Sequence, residues 1–188
     1  MKLRAYNVFD PAYGQIDLKN ATLIIRDGTT PTAQELEIKI GEGNFTWTER
    51  QEMNYVLDRG RLDIVNEGDE QPVEVSFDGV WEFITAFAGD APTLIDALKR
   101  SGEAAPAADN WVSVDTDVCQ PFAVQLEVRH VPVCSGATVA ASDPLEITVI
   151  DLFRWEQIDY DLRAGTFAIS GRANVTEAVS SRFTQTST

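Results

Sequence analysis

The residues of this chain that could do chemistry are its carboxylates. Residues 62–77 read LDIVNEGDEQPVEVSF and carry Asp63, Glu67, Asp69, Glu70 and Glu74. Two such groups could act as general acid and general base, as in glycoside hydrolysis. That chemistry needs one desolvated carboxyl with a raised pKa. These acids instead fall in a turn-like stretch and on the polar side of alternating segments, where water solvates them. The stretch Glu67-Gly68-Asp69-Glu70 also lacks the spaced acids and distal Glu of a calcium loop. It reads as a solvated turn.

Other constellations are no stronger. The single histidine, His130, lies at the end of an alternating run, on its polar side. No Gly-x-Ser-x-Gly elbow or Cys–His arrangement accompanies it, so it reads as an exposed or cross-strand side chain. Cys119 and Cys134 flank PFAVQLEVRHV, which alternates like one strand. Ten extended residues span about 33 Å, whereas a disulfide needs Cα atoms within about 7 Å. Both therefore read as free thiols in a reducing compartment, and neither has zinc-ligand spacing. Trp47, Trp81, Trp111 and Trp155 are dispersed, which favours packing over a sugar-binding platform. No catalytic, cofactor-binding or metal-binding residue is assigned, no cofactor is implied, and the chain reads as a non-enzyme.

Charge narrows the partners. The chain has 188 residues with 30 acids against 15 bases, a formal net charge of −15. Wrapping DNA or RNA needs clustered Lys and Arg to neutralise phosphate, and an anionic membrane needs the same. Acids dominate most in residues 35–90, by fourteen to four. Such a surface gives solubility, and it would also let a polyanion pass without holding it. No apolar run approaches the roughly 18 residues that span a membrane. The N-terminus shows no signal-peptide core.

These residues must be positioned mainly by strands. Leu36, Ile38 and Ile40 alternate with Glu35, Glu37 and Lys39. Phe122–Val128, Leu145–Val149 and Phe167–Ile169 repeat the pattern of half-buried antiparallel strands. One helix is predicted at about 93–101, TLIDALKRSG after its cap is counted. Thr93 caps it with Asp96 three residues on, Leu94, Ile95 and Leu98 form its packing face, and Gly102 ends it. A small-residue loop at 103–110 and a polar C-terminal tail at 180–188 complete the chain.

Strand register can be argued further. Arg59-Gly60 as a two-residue turn sets Leu57 against Leu62, Tyr55 against Ile64 and Asp58 against Arg61. Closing Glu67–Glu70 as a four-residue loop then sets Leu62 against Val75 and Ile64 against Val73. Asp63 then lies opposite Glu74, a like-charge pair of about 0.2–1 kcal/mol destabilisation. A turn at Asp78-Gly79 would set Val75 against Glu82, so residues 72–84 read as one strand kinked at Gly79.

The run GEGNFTWTERQEMNYVLDRGRLDIVNEGDEQPVEVSFDGVWEFI, followed by TLIDALKRSG and SVDTDVCQPFAVQLEV, resembles the major tail tube proteins of long-tailed bacteriophages. The closing DYDLRAGTFAISGRANVTEA resembles their final strands. The resemblance covers roughly residues 35–180 and rests on the order and texture of segments. It implies one domain over 1–188, mainly β, with two packed antiparallel sheets in a tail-tube-type sandwich or barrel and a flanking helix. It implies stacked hexameric rings forming a hollow virion tail tube that conducts DNA during ejection, assembled in the host bacterial cytoplasm. Implied partners are tape-measure, terminator, baseplate or tail-tip and, in a contractile tail, sheath proteins. DNA would pass without specific binding, and no membrane is involved. A tail terminator or a type VI secretion tube-like subunit shares the fold and stands as the alternative. A monomeric β-sandwich that binds a ligand is the reading from a different class. Within the tube reading, Asp63, Glu74, Glu35 and Glu37 are lumen-lining candidates. Glu67, Gly68, Asp69 and Glu70 are ring-stacking loop candidates.

Overall fold

The computed structural model describes residues 21–41, 43–80, 93–100, 111–130 and 146–182. Ten strands and one helix follow in order: β1 Ala21–Arg26, β2 Glu35–Ile38, β3 Phe45–Thr48, β4 Gln51–Asp58, β5 Arg61–Glu70, β6 Val73–Val80, α1 Leu94–Lys99, β7 Val124–His130, β8 Glu146–Asp161, β9 Thr166–Ala173 and β10 Val179–Arg182. Eight strands form one antiparallel sheet in the order β2-β1-β7-β8-β9-β6-β3, with β10 added beside β8. β4 and β5 form a separate two-stranded sheet.

The larger sheet folds over itself because of β8. Up to Phe153, β8 pairs with β7 and β10; from Phe153 onward it pairs with β9. Extra residues interrupt both ladders, at Asp151–Leu152 opposite β7 and at Glu156 opposite β9. Leu152 takes a positive φ of 54°. Bulges bend and twist a strand, so the 16 residues of β8 serve two layers. Cross-strand partners share a face, which aligns Leu23, Ile25, Leu126 and Ile150 on one layer and Val75, Phe77, Phe45 and Ile169 on the other. All of them enter one core, and the Phe77 and Phe153 rings meet at 6.2 Å between centroids. The two ends of the sheet approach where Val80 N–H donates to Lys39 O at 2.9 Å, although the ladder does not close into a barrel.

The helix is short and is held by packing. A helix of six residues is not stable alone. Thr93 and Asp96 form the anticipated capping box. Leu98 and Ala97 are buried in the core, with Leu94 and Ile95 packed against it. Trp155 Nε1 donates to Leu98 O at 2.9 Å, tying α1 to β8. The turn after the helix uses Arg100 in the left-handed conformation at φ 48°. Gly102 lies outside the described residues, as do Trp81–Phe83, the 103–110 loop, Cys134 and the tail from residue 183. The tail begins as a strand, with Val179–Arg182 paired on β8.

Two register expectations fail outside the hairpin, and a third, Tyr55 against Ile64, fails within it, where Tyr55 faces Val65. β5 never pairs with β6, and Glu67–Glu70 is strand, not a loop. β6 lies instead between β3 and β9, so Glu74 faces Thr48 and Arg172 rather than Asp63. The chain from Phe45 to Phe77 forms one long ribbon that turns once, at Arg59-Gly60. Its base, β3 with β6, belongs to the large sheet. The Gly-rich acidic composition of 67–70 imitates a turn, but nothing in it enforces one. By contrast β6 runs through Gly79 to Val80 without turning, as expected, and a Cβ at Gly79 would lie 2.2 Å from the Phe167 ring.

Candidate assembly surface

The outer half of that ribbon is the most unusual surface of the molecule. β4 and β5 are exposed along almost their whole length and contribute nothing to the core. The turn residues have φ of 50° at Arg59 and 80° at Gly60, as a tight primed hairpin turn requires. Asp58 faces Arg61 and Leu57 faces Leu62, as the sequence dictates. Below them the ladder shifts. Asp63 is an extra residue, so Val56 faces Ile64 and Tyr55 faces Val65. Ile64 therefore leaves the side of the ribbon that carries Leu57 and Leu62.

A second irregularity falls between Met53–Glu67 and Gln51–Glu70, where β5 holds the extra residue. A Cβ at Gly68 would lie 2.6 Å from Glu52 Cγ, so glycine lets the Glu52 side chain fold over this bulge. One face of the hairpin thus reads, from tip to root, Leu57 and Leu62, Tyr55 and Val65, Met53 and Glu67, Gln51 and Glu70. Gln51 Nε2 donates to Glu67 Oε1 at 3.5 Å along it. The opposite face pairs Asp58 with Arg61, Val56 with Ile64 and Asn54 with Asn66. Leu62 is 70% exposed, Leu57 and Tyr55 60% each. The signal for this was present in the sequence. Tyr55-Val56-Leu57 and Ile64-Val65 are adjacent apolar residues, which a strand must split between both faces.

At the root of the hairpin lies an open hollow of about 460 Å³. Glu49, Glu52, Glu67, Asp69, Glu70 and Glu177 line it, with Arg50 as the base among them. Arg50 pairs with Glu74 at 3.0 Å, and Glu49 accepts from Trp47 Nε1 and Ala178 N. The remaining carboxylates have no cation partner among the described residues.

The four lumen candidates do not converge. Asp63 lies in the hairpin bulge, and Glu74 sits in the large sheet, neutralised by Arg50. Glu35 and Glu37 lie on the edge strand β2. Glu35 pairs with Arg26 at 3.0 Å and Arg129 at 3.1 Å. The same two arginines enclose Glu127, at 3.0 and 2.7 Å, on a residue only 3% exposed. Glu127 and then Glu35 hold the Arg129 guanidinium above its usual pKa by accepting its hydrogen bonds. Contrary to expectation, His130 does not lie on the polar side of its run; it shares the register of Val124, Leu126 and Val128 and is buried, opposite Ala21 and Glu146 on neighbouring strands. Trp111 is a core residue, and Trp155 binds the helix carbonyl. Cys119 is an exposed free thiol. Among the described residues no group of three or more His, Cys, Asp or Glu could hold a metal ion, and no helix is long and apolar enough to cross a membrane.

No protein-family profile and no curated protein matches the sequence. The fold does have solved counterparts. The anti-feeding prophage cap, a tube-terminating cap, is similar over 96% of this chain and 100% of its own, at 8% identity and a TM-score of 0.50. The sheath/tube terminator of the PVC extracellular contractile injection system is similar over 90% of this chain and 98% of its own, at 10% identity and a TM-score of 0.49. The cap likeness concerns the path of the chain alone.

Proposed function

We propose that this chain is a structural building block of a phage-tail-like tube, and that it forms the ring that terminates the tube. The observation that carries this reading is the β4–β5 hairpin. A two-stranded hairpin is at best marginally stable in water, and among the described residues nothing covers its strand edges or its faces. Ring closure supplies the missing neighbours. The free edge of β4 in one copy pairs with the free edge of β5 in the next, and a closed ring of hairpins leaves no edge. The resemblance over residues 35–180 supports a hexameric ring. The likeness to a tube-terminating cap supports a position at the end of the tube. A stacked tube subunit is the second reading, favoured by that sequence resemblance. In both, the partners are tube, tape-measure and sheath components of one particle, and the hairpins wall a channel. Asp63, with Glu52 and Asp69, would give that wall the negative charge that keeps a polyanion such as DNA moving. Glu74 and Glu35 contribute less because arginines neutralise them. Glu67–Glu70, placed at the hairpin root, would meet the adjoining ring.

Electron microscopy and native mass measurement of the concentrated protein test this. Rings one subunit thick are expected. Open-ended tubes would move the chain to the second reading. A persistent monomer would overturn both.

A further inference from the structure

We propose that the hairpin turns its Asn54–Asn66 face to the channel and its Met53–Tyr55–Leu57 face away from it, so that a passing polyanion meets neutral amides and balanced charge. The inference rests on the ring reading above. Closing edge-paired hairpins into a ring points one face of each to the axis, with interior-facing and exterior-facing residues alternating along every strand. Which face turns inward follows from what each carries. On one, Asp58 lies opposite Arg61, Val56 opposite Ile64 and Asn54 opposite Asn66. Glu52 stands on the same side by alternation with Met53. Arg59 in the turn lies 4.0 Å from Asp58, so Arg59 and Arg61 are balanced by Asp58 and Glu52. The middle of this face is a pair of amides, which hold water through donors and acceptors alike and carry no charge. A wall without unopposed cations gains no hold on phosphate, because phosphate binding comes from neutralisation by Lys and Arg. The acids of the bulges, Asp63 and Asp69, add negative charge beside it. The other face carries two apolar cross-strand pairs, Leu57 with Leu62 and Tyr55 with Val65, and then Met53. Turned inward, that strip would line the channel with apolar side chains. Each exposed Tyr55 ring would also offer nucleobases a stacking platform, the means by which proteins hold single strands rather than pass them.

Distances between spin labels around the ring test which face is inside. A nitroxide carried on an introduced ketone-bearing residue leaves Cys119 and Cys134 untouched. Asn54 and Tyr55 are neighbours in β4 on opposite faces, so labels there differ in distance from the ring axis and little in height. Labels on adjacent copies lie closer together the nearer they stand to the axis. Pulsed electron-spin measurements on rings of the full chain should therefore give a shorter nearest-neighbour distance at position 54 than at position 55. Asn66 and Val65 repeat the comparison on β5, so a label that blocks assembly at one site leaves the other pair to decide. All four side chains are exposed and outside the core, and labels there should leave the fold intact. Equal distances, or shorter ones at 55 and 65, overturn the inference while the ring stands. A wild-type chain that stays monomeric overturns the ring reading first, and this inference falls with it.

Discussion

Asp115 accepts hydrogen bonds from the Asp117 N–H at 3.0 Å and from Arg154 Nη2 at 2.6 Å. The backbone donor first, and Arg154 second, hold its carboxyl below the usual value. A depressed carboxylate stabilises the fold above its unfolded pKa of about 3.9, and that contribution is lost as pH falls through the folded value. Arg154→Met should raise the Asp115 pKa in a carboxyl-carbon NMR titration yet leave it below the ordinary value, since the Asp117 N–H remains. It should also flatten the loss of stability with acid below about pH 4. An unmoved Asp115 would show that Arg154 does not perturb it. None of these partnerships is legible in the sequence. Arg26 and Glu127 stand 101 positions apart, and Arg154 and Asp115 stand 39 apart. Alternation placed Glu127 and Arg129 on the polar side of β7, as the structure does. It could not say that arginines from β1 and β7 cover that side and bury Glu127.

Periodicity finds a strand but not its bulges. The alternating runs at 35–40, 72–84, 122–128, 145–149 and 167–169 all hold or join strands, whereas β1, β3 and β10 are not read from alternation. The capping box located α1, because its signal is local. The failures come from single extra residues and from a turn read into Glu67–Glu70. Asp63 and Gly68–Asp69 change no composition, yet they re-aim every side chain beyond them. Glu74 was assigned a partner by counting back from a turn that does not exist. Gly171 shows what such an irregularity demands of its neighbour. It lies opposite the β8 bulge, where a Cβ would come 2.1 Å from Arg154 O and 2.8 Å from Trp155 Cα. These are backbone atoms, which cannot rotate away. Gly171→Ala should therefore destabilise by at least the roughly 1–3 kcal/mol typical of overpacking, read as a shifted denaturation midpoint. A shift within about 0.5 kcal/mol would mean that the bend of β8 is not rigid.

At the scale of the molecule, the protein is two parts with separate sources of stability. The folded-over sheet, α1 and Trp111 share one core. The hairpin shares none of it and hangs from the ends of β3 and β6. Burial supplies the stability of the first part, whereas the second has only its own ladder until another chain covers it. Removing residues 51–71 and joining Arg50 to Pro72 through Asn-Gly, which keeps the Thr48–Glu74 register, tests that division. The β3–β6 ladder would then close through a favoured two-residue turn. The shortened chain should melt within about 4 °C of the full one, the shift that corresponds to about 1 kcal/mol in a domain of this size. It should lose ring formation. A much lower melting temperature would mean that the hairpin is a structural part of the domain. Rings that persist without it would move the assembly contact elsewhere, with the open edges of β3, β2 and β10 as the surfaces left to make it.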